Sequence, residues 1–295
     1  MAEAVKLSHL DQVMFPETQV TKGDVIGHYR LVAQRMVPYL RDRPAAVARF
    51  PDGIDGLSFF EQTLAPHTPS WIESVTLIED ESGRRGTHLL CQDEQTLVYL
   101  ANQAAITMYT WLSRADQPDH PDQVLFDLDP AHEFGEARHG ALDLRELLTE
   151  LGLPSVVKTT GGRGLHVSVP IQRQYRADEL RDFARTVCSV LESRAPKLYT
   201  SEVHKNKREG RLFLGISRNC FGQPAVAPYA VRATQDARVA TPLDWSELDD
   251  ETLTPTRFTL DSTPQRLAGP DPWRDPPQPA ATLATARQRI GDLPF

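Results

Sequence analysis

The sequence predicts an α+β fold whose central part is a split βαβ unit of the kind found in RNA-recognition motifs. Three observations support this class. Between residues 124 and 216 the pattern runs strand, helix, hairpin, helix, strand. The hairpin turns through the glycine-rich segment 159–164, which suits a tight reversal of the chain. Before residue 121, helical and strand patterns are mixed, which indicates an N-terminal α/β subregion.

The elements of the N-terminal subregion follow from the spacing of apolar residues. These residues recur at helical spacing over 21–41, with Thr21 as the N-cap. Segments 74–79 and 87–91 alternate as an antiparallel pair of strands does. Residues 95–109 show helical spacing again, and we expect one continuous helix there.

The split unit begins with the apolar run 124–129, which predicts a short buried strand that stops at Pro130. Its other elements are a helix that ends at Gly152, two strands around the glycine turn, a second helix and a last strand, over 134–151, 156–158, 165–169, 177–195 and 211–216. Residues 225–232 are expected to be extended. The proline-rich stretch 261–295 predicts a C-terminal tail with one helix around 280–290.

Composition and charge argue against several functional classes. The chain has 295 residues and a formal net charge of −8, which argues against a large non-specific nucleic-acid surface. It contains no apolar run of about 18 residues, and residues 1–11 lack a secretory pattern, so we expect no membrane association. Cysteines without metal-type spacing indicate a reduced cytoplasmic protein without a disulfide or zinc framework.

One basic strip stands out against this negative charge. Its side chains lie between residues 194 and 211, where Glu202 and Glu209 oppose Arg194, Lys197, Lys205, Lys207, Arg208 and Arg211. A strip of this kind either binds a polyanion or is a solvated face of the protein.

Asp127 and Asp129 are the leading candidates for metal ligands. At positions i and i+2 of a strand, both carboxylates emerge on one face. Two carboxylates this close repel each other unless they share a cation or a proton. Hard oxygen ligands suit Mg²⁺ or Mn²⁺, with phosphate oxygens completing the coordination. The alternatives are exposed acids at a strand end or a cap for the next helix, but the apolar lead-in 124–126 favours a metal.

The glycine turn and its polar neighbours predict a phosphate site. Glycines at a strand-to-strand turn allow several backbone N–H groups to converge on an anion, and an arginine offers a planar fork to a phosphate. The candidate nucleotide-binding residues are Thr160, Gly162, Arg163, Gly164, His166, Arg218 and Arg232. Considered singly, the turn could equally be an ordinary hairpin and the arginines surface residues. Phe59 and Phe60 are either core residues or rings that stack on bases.

In their order along the chain these motifs resemble the polymerase domain of bacterial ligase D, a branch of the archaeo-eukaryotic primase superfamily used in non-homologous end joining. The resemblance runs from about residue 7 to residue 248. It is carried by the segments 21–24, 43–44, 56–60, 124–130, 161–166, 217–219, 227–229, 231–232 and 241–245. Several ordered motifs at matching intervals are much more specific than any one of them.

The resemblance implies an archaeo-eukaryotic primase fold and a nucleotidyltransferase that adds nucleotides to a DNA 3′-end. It implies that Asp127 and Asp129 are the catalytic residues and bind Mg²⁺ or Mn²⁺. It also implies that Thr160, His166 and Arg232 contact the triphosphate of the incoming nucleotide. Transfer of this kind depends on positioning and on neutralising the charge of the phosphoryl group.

For DNA, the resemblance implies gapped substrates and double-strand ends. Lys22 is expected at the 5′-phosphate of a break, and Phe59 and Phe60 against the DNA. From the basic strip, we expect DNA contacts by Lys205, Lys207 and Arg208. Family members act beside a Ku-type end binder and a ligase, so we expect such partners and a bacterial, nucleoid-associated location.

The expected organisation is one primase-polymerase domain over 1–260, followed by the tail 261–295. Within the domain we expect an N-terminal subregion over about 1–120 and a catalytic, RNA-recognition-motif-like subregion over about 121–250.

Four positions depart from the family. The family carries a third metal-binding aspartate where this chain has Gly215, lysines where it has Gln12 and Gln62, and a histidine where it has Tyr109. Losing one ligand of a two-metal site can cost several kcal/mol in the transition state, hence on the order of thousands-fold in rate. Losing the lysines removes phosphate contacts.

Two other functions remain open on the sequence. The first is a catalytically degenerate homologue that binds nucleotide or a DNA end for another factor. The second is a haloacid-dehalogenase-like phosphatase with Asp127 as a covalent nucleophile. That family expects Gly-Thr after the second aspartate, where this chain has Pro130 and Ala131.

Overall fold

The computed structural model describes residues 5–78, 83–275 and 283–292. The chain forms two compact units. Unit 1 comprises Met1–Asp116, Pro224–Thr241 and Thr256–Asp271, and unit 2 comprises Gln117–Gln223, Pro242–Pro255 and Pro272–Phe295. The functional subregions and the tail expected from the sequence stay predictions.

The strands are β1 (Val13–Phe15), β2 (Val20–Thr21), β3 (Pro44–Arg49), β4 (Phe59–Glu61), β5 (Ser74–Ile78), β6 (Arg85–Leu90), β7 (Ala105–Thr110), β8 (Gln123–Asp129), β9 (Val156–Thr159), β10 (Leu165–Pro170), β11 (Tyr199–Thr200), β12 (Leu212–Gly215), β13 (Ala225–Val226) and β14 (Pro242–Leu243). The α-helices are α1 (Lys22–Leu40), α2 (Glu94–Asn102), α3 (Phe134–Glu150), α4 (Ala177–Arg194), α5 (Thr263–Ala268) and α6 (Ala284–Gly291). Short 3₁₀ helices include Lys205–Lys207, Ser217–Asn219 and Trp245–Asp249.

In unit 1, helix α1 begins where the sequence predicts it, because Thr21 and Asp24 form a capping box. The Thr21 hydroxyl accepts a hydrogen bond from Asp24 N at 3.2 Å, and the Asp24 carboxylate accepts one from Thr21 N at 2.8 Å. The helix buries an apolar stripe in the core of the unit, including Val25, Ile26, Tyr29, Val32 and Met36.

The sheet of unit 1 has the order β13-β7-β3-β6-β5, with β4 added beside β3. The expected antiparallel pair over 74–79 and 87–91 is confirmed as β5 and β6. The continuous helix expected over 95–109 is wrong. Helix α2 ends at Asn102, Ala104 has φ of +60°, and β7 follows. The β-branched side chains of Ile106, Thr107 and Thr110 favour that strand.

Unit 2 contains the expected split βαβ unit. Its sheet has the order β11-β12-β8-β10-β9-β14, and β8 lies between the antiparallel strands β12 and β10. Helices α3 and α4 pack against this sheet. Gly140 of α3 permits close packing, since a Cβ there would lie 2.2 Å from Leu212 Cδ2. Because side chains alternate along β8, Phe126 and Leu128 share the face of Leu212 toward α3, and Asp127 and Asp129 lie on the other face.

Two helix ends confirm sequence expectations in unit 2. Helix α3 stops before Gly152, which adopts φ of +74°. Helix α6 occupies most of the expected range 280–290, and its Arg289 donates a hydrogen bond to Glu150 O at 3.1 Å. The rest of the expected tail falls partly on 276–282 and 293–295, outside the described residues. Within the described ranges, no helix has the length and apolarity needed to cross a membrane.

Candidate nucleotidyltransfer site

A row of four aligned residues crosses the face of the sheet in unit 2 that carries Asp127 and Asp129. Gly215 of β12 pairs with Asp127 of β8, Asp127 pairs with His166 of β10, and His166 pairs with Lys158 of β9. Directly paired residues of antiparallel strands point to the same face. We call Gly215, Asp127, His166 and Lys158 the cross-strand row, and the face that carries it the acidic face.

The row places a carboxylate and an imidazole in contact. Asp127 Oδ1 lies 3.5 Å from His166 Nε2, and the His166 side chain is 4% exposed. Burial opposes ionisation of Asp127, but His166, Arg218 and Lys158 outweigh it and hold the pKa of Asp127 below 3.8. Burial, together with Lys158, lowers the pKa of His166 from 6.5 to about 4. At neutral pH the row therefore contains a carboxylate beside a neutral imidazole.

Asp129 lies two residues along β8 on the same face and has two arginine partners. Its carboxylate is 3.3 Å from Arg163 Nη2 and 3.3 Å from Arg208 Nη1. The guanidinium of Arg208 also lies 3.7 Å from the centroid of the Phe213 ring, and it donates to the backbone oxygens of Glu202 and Val203. Arg208, which the sequence assigned to the DNA-binding strip, is thus placed against the acidic pair.

The glycine turn is packed tightly on the end of β8. A Cβ on Gly164 would lie 2.0 Å from Leu128 O, so only glycine fits there. The Thr160 hydroxyl accepts hydrogen bonds from Gly162 N at 3.1 Å and Gly164 N at 3.4 Å. Two amide groups of the expected phosphate cradle are therefore directed toward Thr160 in this structure, and Arg163 at the tip is exposed.

Arg218 is held beside the acidic face by its neighbour Asn219. The Asn219 side chain accepts a hydrogen bond from Leu125 N at 2.8 Å and donates one to Leu125 O at 2.7 Å. Strand β12 ends at Gly215. Beyond that point, the side-chain amide of Asn219 takes the place of β12 and forms hydrogen bonds with the backbone of β8. This clamp fixes the 3₁₀ helix that carries Arg218, whose charge reaches both Asp127 and His166.

The other expected DNA-binding residues of unit 2 are Lys205 and Lys207. Both are exposed on one 3₁₀ helix. Their side chains are therefore available to a polyanion, and DNA binding by these lysines stays a prediction.

Unit 1 carries the remaining expected residues. Lys22 is 5% exposed, and burial together with the charge of Arg49 lowers its pKa below 10.5. Gln12 donates a hydrogen bond from Nε2 to Pro51 O at 2.6 Å. Phe59 and Phe60 are 49% and 52% exposed, so they are surface rings and not core residues.

Arg232 of unit 1 belongs to a small aromatic cluster. Its guanidinium lies 5.8 Å from the centroid of the Tyr109 ring, and Phe60 packs edge-on against the same ring with centroids 5.3 Å apart. The segment 225–232 is not uniformly extended as expected, because Tyr229 adopts φ of +64°.

One residue of the site was not predicted from the sequence, and another was predicted without its role. Lys158 lies in the cross-strand row, two residues before Thr160, and is 3% exposed. The alternation of a strand would have placed Lys158 on the same face as Thr160. Asn219 lies in the segment 217–219 that carries the resemblance, but its hydrogen bonds to Leu125 were not predicted.

The acidic face fits a hard divalent cation. Asp127 and Asp129 are about one-third exposed and supply carboxylate oxygens on one face, as Mg²⁺ and Mn²⁺ require. The buried Nδ1 atom of His166 makes no hydrogen bond to any described residue, so it is open to a polar partner. In the described part of the chain, no group of three or more His, Cys, Asp and Glu side chains is arranged to hold a metal ion.

Comparison with known proteins identifies the family. The family described as "LigD, primase-polymerase domain" matches residues 21–273. The multifunctional non-homologous end joining protein LigD of Mycolicibacterium smegmatis is 34% identical over 263 residues, covering 87% of this chain and 34% of that protein. The corresponding protein of Mycobacterium tuberculosis H37Rv is 32% identical over 276 residues, covering 90% and 36%.

A solved structure shows the same fold. The polymerase domain of Mycobacterium tuberculosis ligase D, in complex with DNA, matches with a TM-score of 0.84 and 29% identity, over 98% of this chain and 99% of that one. The α+β class is confirmed, and the phosphatase alternative is wrong because the family is a different one. The chain spans about a third of the length of the curated relatives it matches. It belongs to the LigD primase-polymerase domain family.

Proposed function

We propose that this chain is a nucleotidyltransferase that adds nucleotides to a DNA 3′-end during gap filling or non-homologous end joining. The observation that carries the proposal is the pair Asp127 and Asp129 on one face of β8, with His166 aligned beside them. Family membership supports the same chemistry.

Asp127 and Asp129 would hold Mg²⁺ or Mn²⁺ together with the triphosphate. The cation, when bound, neutralises charge on the phosphoryl group being transferred. The ion pairs of Asp129 with Arg163 and Arg208 must open to admit it. Thr160 and His166 would bind phosphate oxygens along the same face, and for this the Thr160 hydroxyl must give up the hydrogen bond that it donates to Gly164 O. The clamped Arg218 would add a positive charge beside them.

Gly215 makes the proposed activity weaker than that of a three-carboxylate site. It is aligned with Asp127 on the neighbouring strand, where a carboxylate would share a cation with Asp127. Without that carboxylate, nothing at position 215 helps to ionise the primer 3′-hydroxyl. This position favours the second candidate function, a homologue that binds nucleotide or a DNA end but transfers slowly or not at all.

DNA contacts are proposed for both units. In unit 1 these are the exposed rings of Phe59 and Phe60 and the largely buried Lys22, and in unit 2 the exposed Lys205 and Lys207. The similar structure that was solved in complex with DNA supports DNA as a partner. Because the longer relatives are end-joining proteins, we propose a Ku-type end binder and a ligase as partners in bacterial DNA repair.

A gap-filling assay tests the function. The protein is incubated with Mn²⁺, labelled nucleoside triphosphates and a gapped duplex that carries a 5′-phosphate, and extension of the primer is measured. We expect extension by the native chain, none by Asp127→Asn, and native extension by the control Asp250→Asn, whose side-chain oxygen accepts hydrogen bonds from Thr252. Tight nucleotide binding without extension would favour the binding homologue, and loss of both would refute the proposed site.

A further inference from the structure

The hydroxyl of Tyr29 on α1 bridges two backbone segments in the core of unit 1. It donates a hydrogen bond to Ile106 O of β7 and accepts one from Val231 N at 3.2 Å. Val231 lies opposite Val239 in an antiparallel bridge whose hydrogen bonds are made by the residues on either side of this pair. The N–H of Val231 therefore points away from the bridge and toward Tyr29. Tyr29 is 0% exposed, so water cannot take the place of its hydroxyl.

The turn 227–230, just before Val231, has a backbone conformation that a tyrosine rarely adopts. Ala230 N donates a hydrogen bond to Ala227 O at 3.2 Å and closes the turn. Its third residue, Tyr229, has φ of +64°, in the left-handed region that favours glycine. His28, the neighbour of Tyr29 on α1, supports the turn, because its Nε2 lies 2.8 Å from Tyr229 O. Strained backbone persists only where its surroundings fix it, and it occurs preferentially at functional sites.

The residue that this fixed backbone carries is Arg232. Its guanidinium rests over the ring of Tyr109, which belongs to β7, the same strand that receives the Tyr29 hydrogen bond. Burial raises the pKa of Tyr29, and the positive charge of Arg232 opposes part of this rise, so that charge reaches the hydroxyl. A single hydroxyl thus fixes the backbone beside Arg232 relative to the strand against which the guanidinium rests.

We propose that Tyr29 and His28 are positioning residues that orient the Arg232 guanidinium for the triphosphate of the incoming nucleotide. Neither side chain touches the nucleotide. This role rests on the proposed function and on the nucleotide-binding role expected of Arg232. In a purely structural role, the two side chains would only stabilise the core of unit 1.

Nucleotide binding to single and double variants tests the positioning role. Dissociation constants for ATP with Mn²⁺ are measured by calorimetry for the native chain, Tyr29→Phe, Arg232→Met and the double variant. We expect Arg232→Met to weaken ATP binding about 10-fold to 100-fold, because a hydrogen bond between charged groups is lost. Tyr29→Phe should weaken it about threefold to tenfold. Because Tyr29 acts through Arg232, Tyr29→Phe should weaken ATP binding no further once Arg232 is replaced by methionine.

Tyr99→Phe is the matched control. Tyr99 is another buried tyrosine of unit 1, and its hydroxyl is hydrogen-bonded to Thr68. Its loss should lower the melting temperature and leave the affinity for ATP native. If Tyr29→Phe does not fold, His28→Leu, which removes the hydrogen bond to Tyr229 O, takes its place in the same comparison.

A purely structural role predicts a different pattern. Tyr29→Phe would then weaken ATP binding by the same factor with and without Arg232, or would lower the melting temperature and leave ATP binding unchanged. Either result, in a native chain that binds ATP, overturns the positioning role alone. Arg232→Met that binds ATP as tightly as the native chain overturns it too, because no contact would remain to be positioned. A native chain that does not bind ATP refutes the proposed function as well.

Discussion

Replacing Gly215 with aspartate tests how far this site can be restored. The backbone at position 215 is part of a regular strand, so an aspartate needs no unusual conformation there. The space is tight, however. A Cβ on Gly215 would lie 3.0 Å from Phe213 Cε1, 3.1 Å from Asp127 O and 3.2 Å from Asp127 Cβ. The Phe213 ring must move, although Arg208 is stacked on it.

The expected changes in stability follow from these contacts. Overpacking costs about 1–3 kcal/mol, and a like charge directly across the strand costs about 0.2–1 kcal/mol more. Without metal, Gly215→Asp should therefore unfold with about 1–4 kcal/mol less free energy than the native chain. A divalent cation present at about 100 times its dissociation constant would return about 2.7 kcal/mol.

The expected gain in rate is larger. If the third carboxylate recovers about 2–4 kcal/mol in the transition state, Mn²⁺-dependent extension should rise by about 30-fold to about 1000-fold. Gly215→Asn is the matched control, because it has the same size and the same steric cost but no charge. Primer extension on a gapped duplex gives the rate, and thermal unfolding with and without Mn²⁺ gives the stabilisation.

The outcome separates geometry from charge. If Gly215→Asp and Gly215→Asn lose similar stability and only the aspartate gains extension and Mn²⁺ stabilisation, the acidic face is a truncated two-metal site. Equal behaviour of the two variants with Mn²⁺ would show that position 215 does not face the metal, and the alignment of β12 with β8 as a metal site would be wrong.

Three further predictions concern the clamp beside Arg218, a buried histidine of unit 1 and the ion pair between Asp129 and Arg208. Asn219→Leu should lower the free energy of unfolding in urea by about 2–4 kcal/mol, because both backbone groups of Leu125 lose a buried partner; a loss under about 1 kcal/mol would contradict the clamp. Burial lowers the pKa of His28 from 6.5 to about 4, so between these pH values the imidazole is neutral in the folded protein and protonated in the unfolded chain. The contribution of His28 to the free energy of unfolding is complete above pH 6.5 and should fall by about 2 kcal/mol at pH 5. Urea unfolding at the two pH values measures this loss, which should be absent in His28→Gln. Arg208→Met should bind Mn²⁺ about two- to fivefold more tightly in calorimetry, because the cation no longer displaces an ion pair from Asp129; unchanged affinity would count against that competition.

The sequence was sufficient wherever a local signal specified the structure. Thr21 and Asp24 defined the start of α1, and Gly152 the end of α3, because capping depends on neighbours in the chain. The wrong helix over 95–109 arose because its apolar residues fit helical and strand periods equally well. The turn at Ala104, with its positive φ, had no glycine or proline to mark it.

The candidate site was only partly predictable because it depends on strand register. The sequence placed Asp127 and Asp129 on one face, since both lie on a single strand. It could not align His166 and Lys158 with Asp127, because the register between two strands cannot be determined from the sequence of either strand alone. For the same reason Arg208 was grouped with its basic neighbours in sequence, whereas folding places it against Asp129.

The cross-strand row has a consequence for how this protein can vary over evolutionary time. Substitutions on the acidic face alter one side chain and leave the others aligned. Gain or loss of a single codon within β10 would instead shift its alignment by one position and bring Leu165 or Val167 where His166 stands. Gly164, pressed against Leu128 O, leaves the adjoining turn little room to absorb such a shift. We therefore expect natural relatives to differ in length elsewhere along the chain and to keep the number of residues between Lys158 and His166 constant.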